Sequence, residues 1–297
     1  ETSFLVIAGI CIASVMYELV EGWISYSLAK VYHPDFKYWQ GVECAFYAAF
    51  YRVATLGSGA GVAAIYYFNE RGVPYSKGTG LYTIEYMLHK VSIALFAGIF
   101  FILNWGYMQK YYSQYDMTLL IGFGVTFVIA AVLLLFACSK KFHEVLLWIV
   151  RKLNRSGKLT EQVKKLEEQC AILEDAAATL LKRGGLIAGC ILKNLLKFTF
   201  WYGIPFLILA ETGKLTLSQG LAVTSLAMML AAVIPAPAGI GSSEFVLTML
   251  LAKIVGTGAA GSVALLYRFA TFVLPFVIGA VVVVLWRRVH RSTEKAA

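Results

Sequence analysis

The run Ile234-Pro-Ala-Pro-Ala-Gly-Ile-Gly-Ser-Ser-Glu244 constrains this chain more than any other stretch. It separates two strongly apolar segments, residues 217–233 and 245–255. Proline removes a backbone donor and glycine favours turns, so a helix cannot continue through it. In hydrocarbon, unpaired backbone survives only where it is buried in protein or lines a polar cavity. A helix that breaks there and restarts at a carboxylate is therefore a candidate functional site.

The hydrocarbon setting follows from composition. Hydrophobic residues make up 59% of the chain and charged residues 14%, and the mean hydropathy is +0.72. Those values exclude an ordinary soluble domain and predict a single integral membrane domain over residues 1–297, an all-α polytopic helix bundle. The net charge of +9 is concentrated at residues 140–183 and 287–295. That pattern fits cytoplasmic flanks held near anionic lipid rather than nucleic-acid binding. Cys11, Cys44, Cys138, Cys170 and Cys190 show no paired spacing and read as small apolar residues, so neither a metal site nor a cofactor is expected.

Spans are expected at residues 4–28, 81–103, 117–138, 186–210 and 262–286, each near the ~20 residues a membrane helix needs. The first is read as ending in a polar patch of Glu18, Glu21 and Lys30. Residues 41–67 are apolar but interrupted by Thr55-Leu-Gly-Ser-Gly-Ala-Gly61. Residues 139–183 carry ten Lys/Arg against six Asp/Glu and are assigned to the cytoplasm, as is the C-terminus. The first residue then falls outside, and no cleavable signal is legible after Glu1-Thr2-Ser3, so an earlier span is expected to have been removed. Span, broken hairpin, span recurs in residues 1–138 and 184–290, either side of a cytoplasmic helical linker at 139–183. This is the pattern of an inverted repeat with two re-entrant hairpins; kinks in full-length spans are the competing reading. Within the linker, Leu159, Val163, Leu166, Cys170, Leu173, Ala177 and Leu180 form one apolar stripe on a charged helix, suited to the bundle, the lipid interface or a dimer contact.

Few charges lie inside the spans. Glu244 opens the helix after the break, where the helix dipole favours a carboxylate. Arg268 sits well inside the last span, where an unpaired charge costs about 2.5–3.5 kcal/mol. Glu244 is its expected partner, either for packing alone or to prepare Arg268 for an anionic ligand. Glu85 and His89 are four residues apart and share a helix face, with Lys90 turned partly elsewhere; an interior hydrogen bond and a proton-coupling role are both compatible with them. Arg52 precedes the first glycine run, and Lys193 and Lys197 lie one turn apart within a span. No nucleotide-binding loop, serine-hydrolase elbow or zinc-protease motif is present.

The 233–245 run, followed by Leu265-Leu-Tyr-Arg268 and a last span containing Gly279, resembles the lysylphosphatidylglycerol synthase transmembrane region. That region is the flippase-like half of the multiple peptide resistance factor family. Residues 55–61, followed by Tyr66-Tyr-Phe-Asn-Glu-Arg-Gly-Val-Pro74, resemble its first signature, with Leu56 and Val62 where relatives often carry proline and glutamine. The resemblance implies movement of a phospholipid or glycolipid, such as aminoacylated phosphatidylglycerol, between leaflets of a bacterial-type cell membrane. It also implies a separate lipid-modifying enzyme as a partner, and a homo-oligomer is compatible with it. In two-part members a soluble C-terminal domain transfers the lysyl group, and none is expected in this chain. On that view Gly57, Gly59, Gly61, Pro235, Pro237, Gly239, Gly241, Ser242 and Ser243 line a midplane cavity. Their backbone amides and Arg268 would hold phosphate, and Glu244 would orient Arg268 or meet a cationic headgroup. The competing readings are a phosphatidylglycerol lysyltransferase and a non-transporting scaffold for envelope lipid synthesis.

Overall fold

The structure, a computed structural model, describes residues 3–113, 139–153, 160–234 and 236–296, with scattered positions between 124 and 135; side chains are described as far as residue 288. The span expected at 117–138 falls largely outside the described residues, as do Cys138, Leu159 and Pro235. Among the described residues every element is a helix. In the first half these are α1 (Phe4–Ala29), α2 (Tyr38–Ala54), α3 (Ala60–Glu70), α4 (Tyr75–Leu103) and α5 (Trp105–Tyr112). The linker holds α6 (Lys140–Leu153) and α7 (Thr160–Leu180). The second half holds α8 (Gly184–Tyr202), α9 (Ile204–Leu209), α10 (Leu217–Ala231), α11 (Ser242–Val255), α12 (Thr257–Arg268) and α13 (Leu274–Ala296). Among the described residues, four segments are long and apolar enough to cross a membrane: Phe4–Ala29, Tyr75–Leu103, Thr257–Arg288 and, counting the turn before α11, Pro237–Val255.

Both glycine interruptions break their helices. Residues 55–59 separate α2 from α3, and a short turn at Pro237–Gly239 precedes α11. In each pair the two arms pack on one another. The arms have 17, 11, 15 and 14 residues. At 1.5 Å per residue they reach roughly 16–26 Å, short of the ~30 Å hydrocarbon core. The first pair is clasped at its open end, where Arg71 Nη2 lies 2.8 Å from Glu43 Oε2 and the Tyr67 hydroxyl donates to the same oxygen.

The two halves exchange contacts. Arm α2 packs on α13, the last helix of the second half, while α10 packs on α4 of the first; α1 and α8 pack together. The packing of α2 on α1 and on α13 is tight. It depends on very close backbones, which small residues permit. A Cβ on Gly41 would lie 2.2 Å from the Gly22 carbonyl oxygen, and one on Gly279 2.4 Å from that of Phe46.

Of the polar patch expected to end the first span, Lys30 caps α1 as expected, while Glu18 and Glu21 lie within the helix, which runs on to Ala29. The expected span at 186–210 is α8 plus α9, divided at Gly203, beyond which Pro205 supplies no amide donor. In the linker, Val163, Cys170, Leu173, Ala176 and Leu180 are buried, and α7 packs on α4. The apolar stripe thus faces the bundle. Helix α6 is tied to α7 by Arg151–Glu167 at 2.6 Å and by His143–Glu174 at 3.0 Å. The His143 hydrogen bond holds the Glu174 carboxyl below its ordinary pKa.

Candidate functional site

The second break is built around one ion pair. Gly241 has φ +85° and caps α11, and its amide donates to Glu244 Oε2 at 3.0 Å. Glu244 is thus fixed at the positive end of that helix. Its Oε1 meets Arg268 Nε at 3.1 Å, and Ser243 Oγ donates to Oε2 at 2.8 Å. Arg268 also donates from Nη2 to the Ala238 carbonyl at 3.2 Å, and its guanidinium lies 3.7 Å from the Phe272 ring centroid. The pair is mostly buried, with side-chain exposures of 17% for Arg268 and 24% for Glu244. A π-helical turn, Phe269–Val273, begins directly after Arg268. Such turns free backbone groups; here Ser14 of α1 donates to the Ala270 carbonyl at 2.5 Å.

The two breaks share an unusual backbone and meet. Among the described residues, Leu56 and Ala238 are the non-glycine residues with positive φ, both +52°, and each is followed by a left-handed glycine, Gly57 at +102° and Gly239 at +68°. Left-handed backbone is costly for L-residues with a Cβ and concentrates at functional sites. A Cβ on Gly57 would stand 3.3 Å from the Ala238 nitrogen and 3.8 Å from its Cβ. Tip therefore touches tip.

The tip amides are largely consumed by their own turns. Gly57 N–H donates to the Arg52 carbonyl, Gly59 N–H to Thr55 Oγ1, and Gly239 N–H to the Ala236 carbonyl, at 2.7, 2.6 and 3.0 Å. Gly61 packs on the Tyr82 ring and Pro237 is exposed. Ser242 donates to the Gly239 carbonyl, which also lies 2.9 Å from Ser243 Oγ. Anion recognition at the tips consequently falls to side chains.

Those side chains surround a cavity of about 280 Å³ beneath Gly57. Helix α1 supplies Tyr17, Glu18, Glu21 and Ser25; α2 supplies Cys44 and Arg52; α4 supplies Tyr82, Glu85, Tyr86, His89 and Lys90. Glu18 is only 3% exposed, and its Oε1 lies 4.0 Å from Arg52 Nη2, beyond hydrogen-bond reach. That oxygen and Arg52 Nε and Nη2 are buried without hydrogen-bond partners. Buried polar atoms are nearly always satisfied, so this trio marks a place for something polar. Glu85 accepts from Ser25 at 2.7 Å. Lys197, almost fully buried on α8, pairs with Glu21. Lys193 faces α1 as well, but bonds Ser27 at 2.7 Å and lies 4.7 Å from the centroid of the Trp23 ring, apart from the cavity residues.

The structure thus gathers Gly57, Arg52, Glu85 and His89 around one cavity and joins it to Ser243, Glu244 and Arg268 through the touching tips. Reading from sequence missed Glu18, Glu21 and Lys90 as cavity residues. The only available signal was their charge within otherwise apolar helices.

Against this geometry, the sequence matches the family described as the Lysylphosphatidylglycerol synthase TM region over residues 2–279. The chain belongs to that family. No curated protein and no solved structure gives a match. A membrane protein of this family is consistent with the long apolar helices, and its match spans both breaks and the cavity.

Proposed function

We propose that this family member is a flippase-like protein, which binds the headgroup of a phospholipid or glycolipid and passes it between leaflets. Aminoacylated phosphatidylglycerol is one such lipid. The observation that carries the reading is the meeting of two broken helices over a charged cavity inside an apolar bundle. Broken helices at matching positions are how membrane transporters build midplane sites. The short arms support re-entrant hairpins, with the C-terminus on the cytoplasmic side of a bacterial-type cell membrane. A volume of about 280 Å³ suits a headgroup and leaves the acyl chains in the bilayer. Arg52, with two unpartnered nitrogens, suits a phosphate, because guanidinium matches its oxygens bidentately. Glu18 and Glu85 would accept from hydroxyl or ammonium groups beside it. Glu244 holds Arg268 in this scheme and orients the second tip.

Reconstitution in vesicles with a headgroup-labelled phospholipid, read by quenching of the outer leaflet, tests the proposal. The expected result is protein-dependent exposure of inner-leaflet lipid. Arg52→Gln should slow it about 10–100-fold, the loss of one or two charge-assisted hydrogen bonds. Rates no faster than in protein-free vesicles would refute the reading.

A further inference from the structure

Among the described residues, Lys90 is the lysine or arginine of the cavity that the fold leaves without an ionic partner. It is the sixteenth of the 29 residues of α4, counting from Tyr75, and so stands about 20 Å from either helix end. That is too far for its stem to reach a headgroup layer. Among the described residues, no carboxylate lies within ion-pair distance of it. Its ammonium meets only the Tyr86 ring, 5.1 Å from the centroid. Arg52, Lys197 and Arg268 each have a glutamate; Lys90 does not.

Its position explains what could complete it. Lys90 and Tyr86 line the cavity on one side, and Gly57 and Ala60 of the first break line it on the other. Tyr86 and Gly57 both line the cavity and are exposed, so the cavity reaches the protein surface at these residues. Exposed apolar side chains lie elsewhere on both helices, Val62 and Tyr66 on α3 and Leu95 on α4. A charge at that depth needs an anion, and acyl chains suit the surface around it.

We infer that Lys90 docks the phosphate oxyanion of a membrane phospholipid whose headgroup enters the cavity sideways from the bilayer, between Tyr86 and the first break. This rests on the reading that the cavity holds a lipid headgroup. Tyr86 is the hinge post of the opening, and its ring shields the ammonium until a phosphate replaces it.

The test uses the full chain in phosphatidylglycerol–phosphatidylcholine vesicles, with photoreactive benzoylphenylalanine in place of Tyr86 and adducts identified by mass. A phospholipid adduct is expected. It should fall about ten-fold with Lys90→Gln, the size of one lost charge-assisted hydrogen bond, and persist with Lys90→Arg. The same probe at the lipid-facing Ile102 should give an adduct that neither substitution changes, which also reports a folded protein. Undiminished labelling at position 86 in Lys90→Gln would overturn the inference. An adduct at position 86 that carries no phospholipid mass, with the lipid adduct at Ile102 still formed, would overturn the lipid as its source. A Lys90-dependent adduct without lipid movement would retain the docking site and reject translocation. Movement with Lys90-independent labelling would do the reverse.

Discussion

Replacing Arg268 by alanine should destabilise the protein by about 3 kcal/mol, because a mostly buried carboxylate loses its partner. The figure is at the low end for buried pairs since both side chains retain some exposure. Two further bonds go with it, to the Ala238 carbonyl and the Ser243 hydroxyl, so the second tip loses its anchor as well as its charge balance. Glu244→Gln should cost less, about 1–2 kcal/mol, because the amide oxygen can still cap Gly241. The double variant should be more stable than Arg268→Ala alone, since no orphan charge remains. Unfolding of the purified protein followed by circular dichroism measures all three. Additive losses, or an Arg268→Ala variant as stable as wild type, would show that the pair does not hold the break.

Gly41→Ala should be as damaging for a different reason. The new methyl would stand 2.2 Å from the Gly22 carbonyl oxygen and 3.0 Å from the Tyr26 nitrogen. Both are backbone atoms and no rotamer can relieve the contact, so α1 and α2 must separate. Overpacking of this kind costs about 1–3 kcal/mol and occasionally more. The upper end is expected, because these helices also carry Glu18, Glu21 and Arg52. Gly22→Ala strains the same contact, where its Cβ would meet Val42 Cα at 2.5 Å, so the two losses should not add. Wild-type thermal stability for Gly41→Ala would contradict the close crossing.

These two sites differ in how far sequence revealed them. The second break was legible because Pro237, Gly239 and Gly241 cannot sit in a continuous apolar helix. Arg268 and Glu244 could be paired in advance, since few charges share that depth. The Gly22–Gly41 crossing was not legible, because each is a lone glycine on a different helix and only packing makes them neighbours. Glu18 and Glu21 were placed at a span end because charges usually mark one. Only the arrival of Arg52 from α2 and Lys197 from α8 turns them into a cavity wall. The tip amides illustrate the opposite failure. Glycine-rich turns suggested free donors, but Thr55 and nearby carbonyls already occupy most of them.

The central claim is that a lipid headgroup passes where the two tips meet. Cysteines at 57 and 238, in a chain with its own five cysteines replaced, test it directly. The 3.8 Å between the two Cβ positions is the usual separation across a disulfide, roughly 3.5–4.5 Å. Lipid movement in reconstituted vesicles is measured with this bond oxidised and again after reduction, so strain at position 57 is common to both states. Our account predicts that oxidation stops movement and reduction restores it. Equal rates in the two states, with the bond shown to have formed, would contradict it.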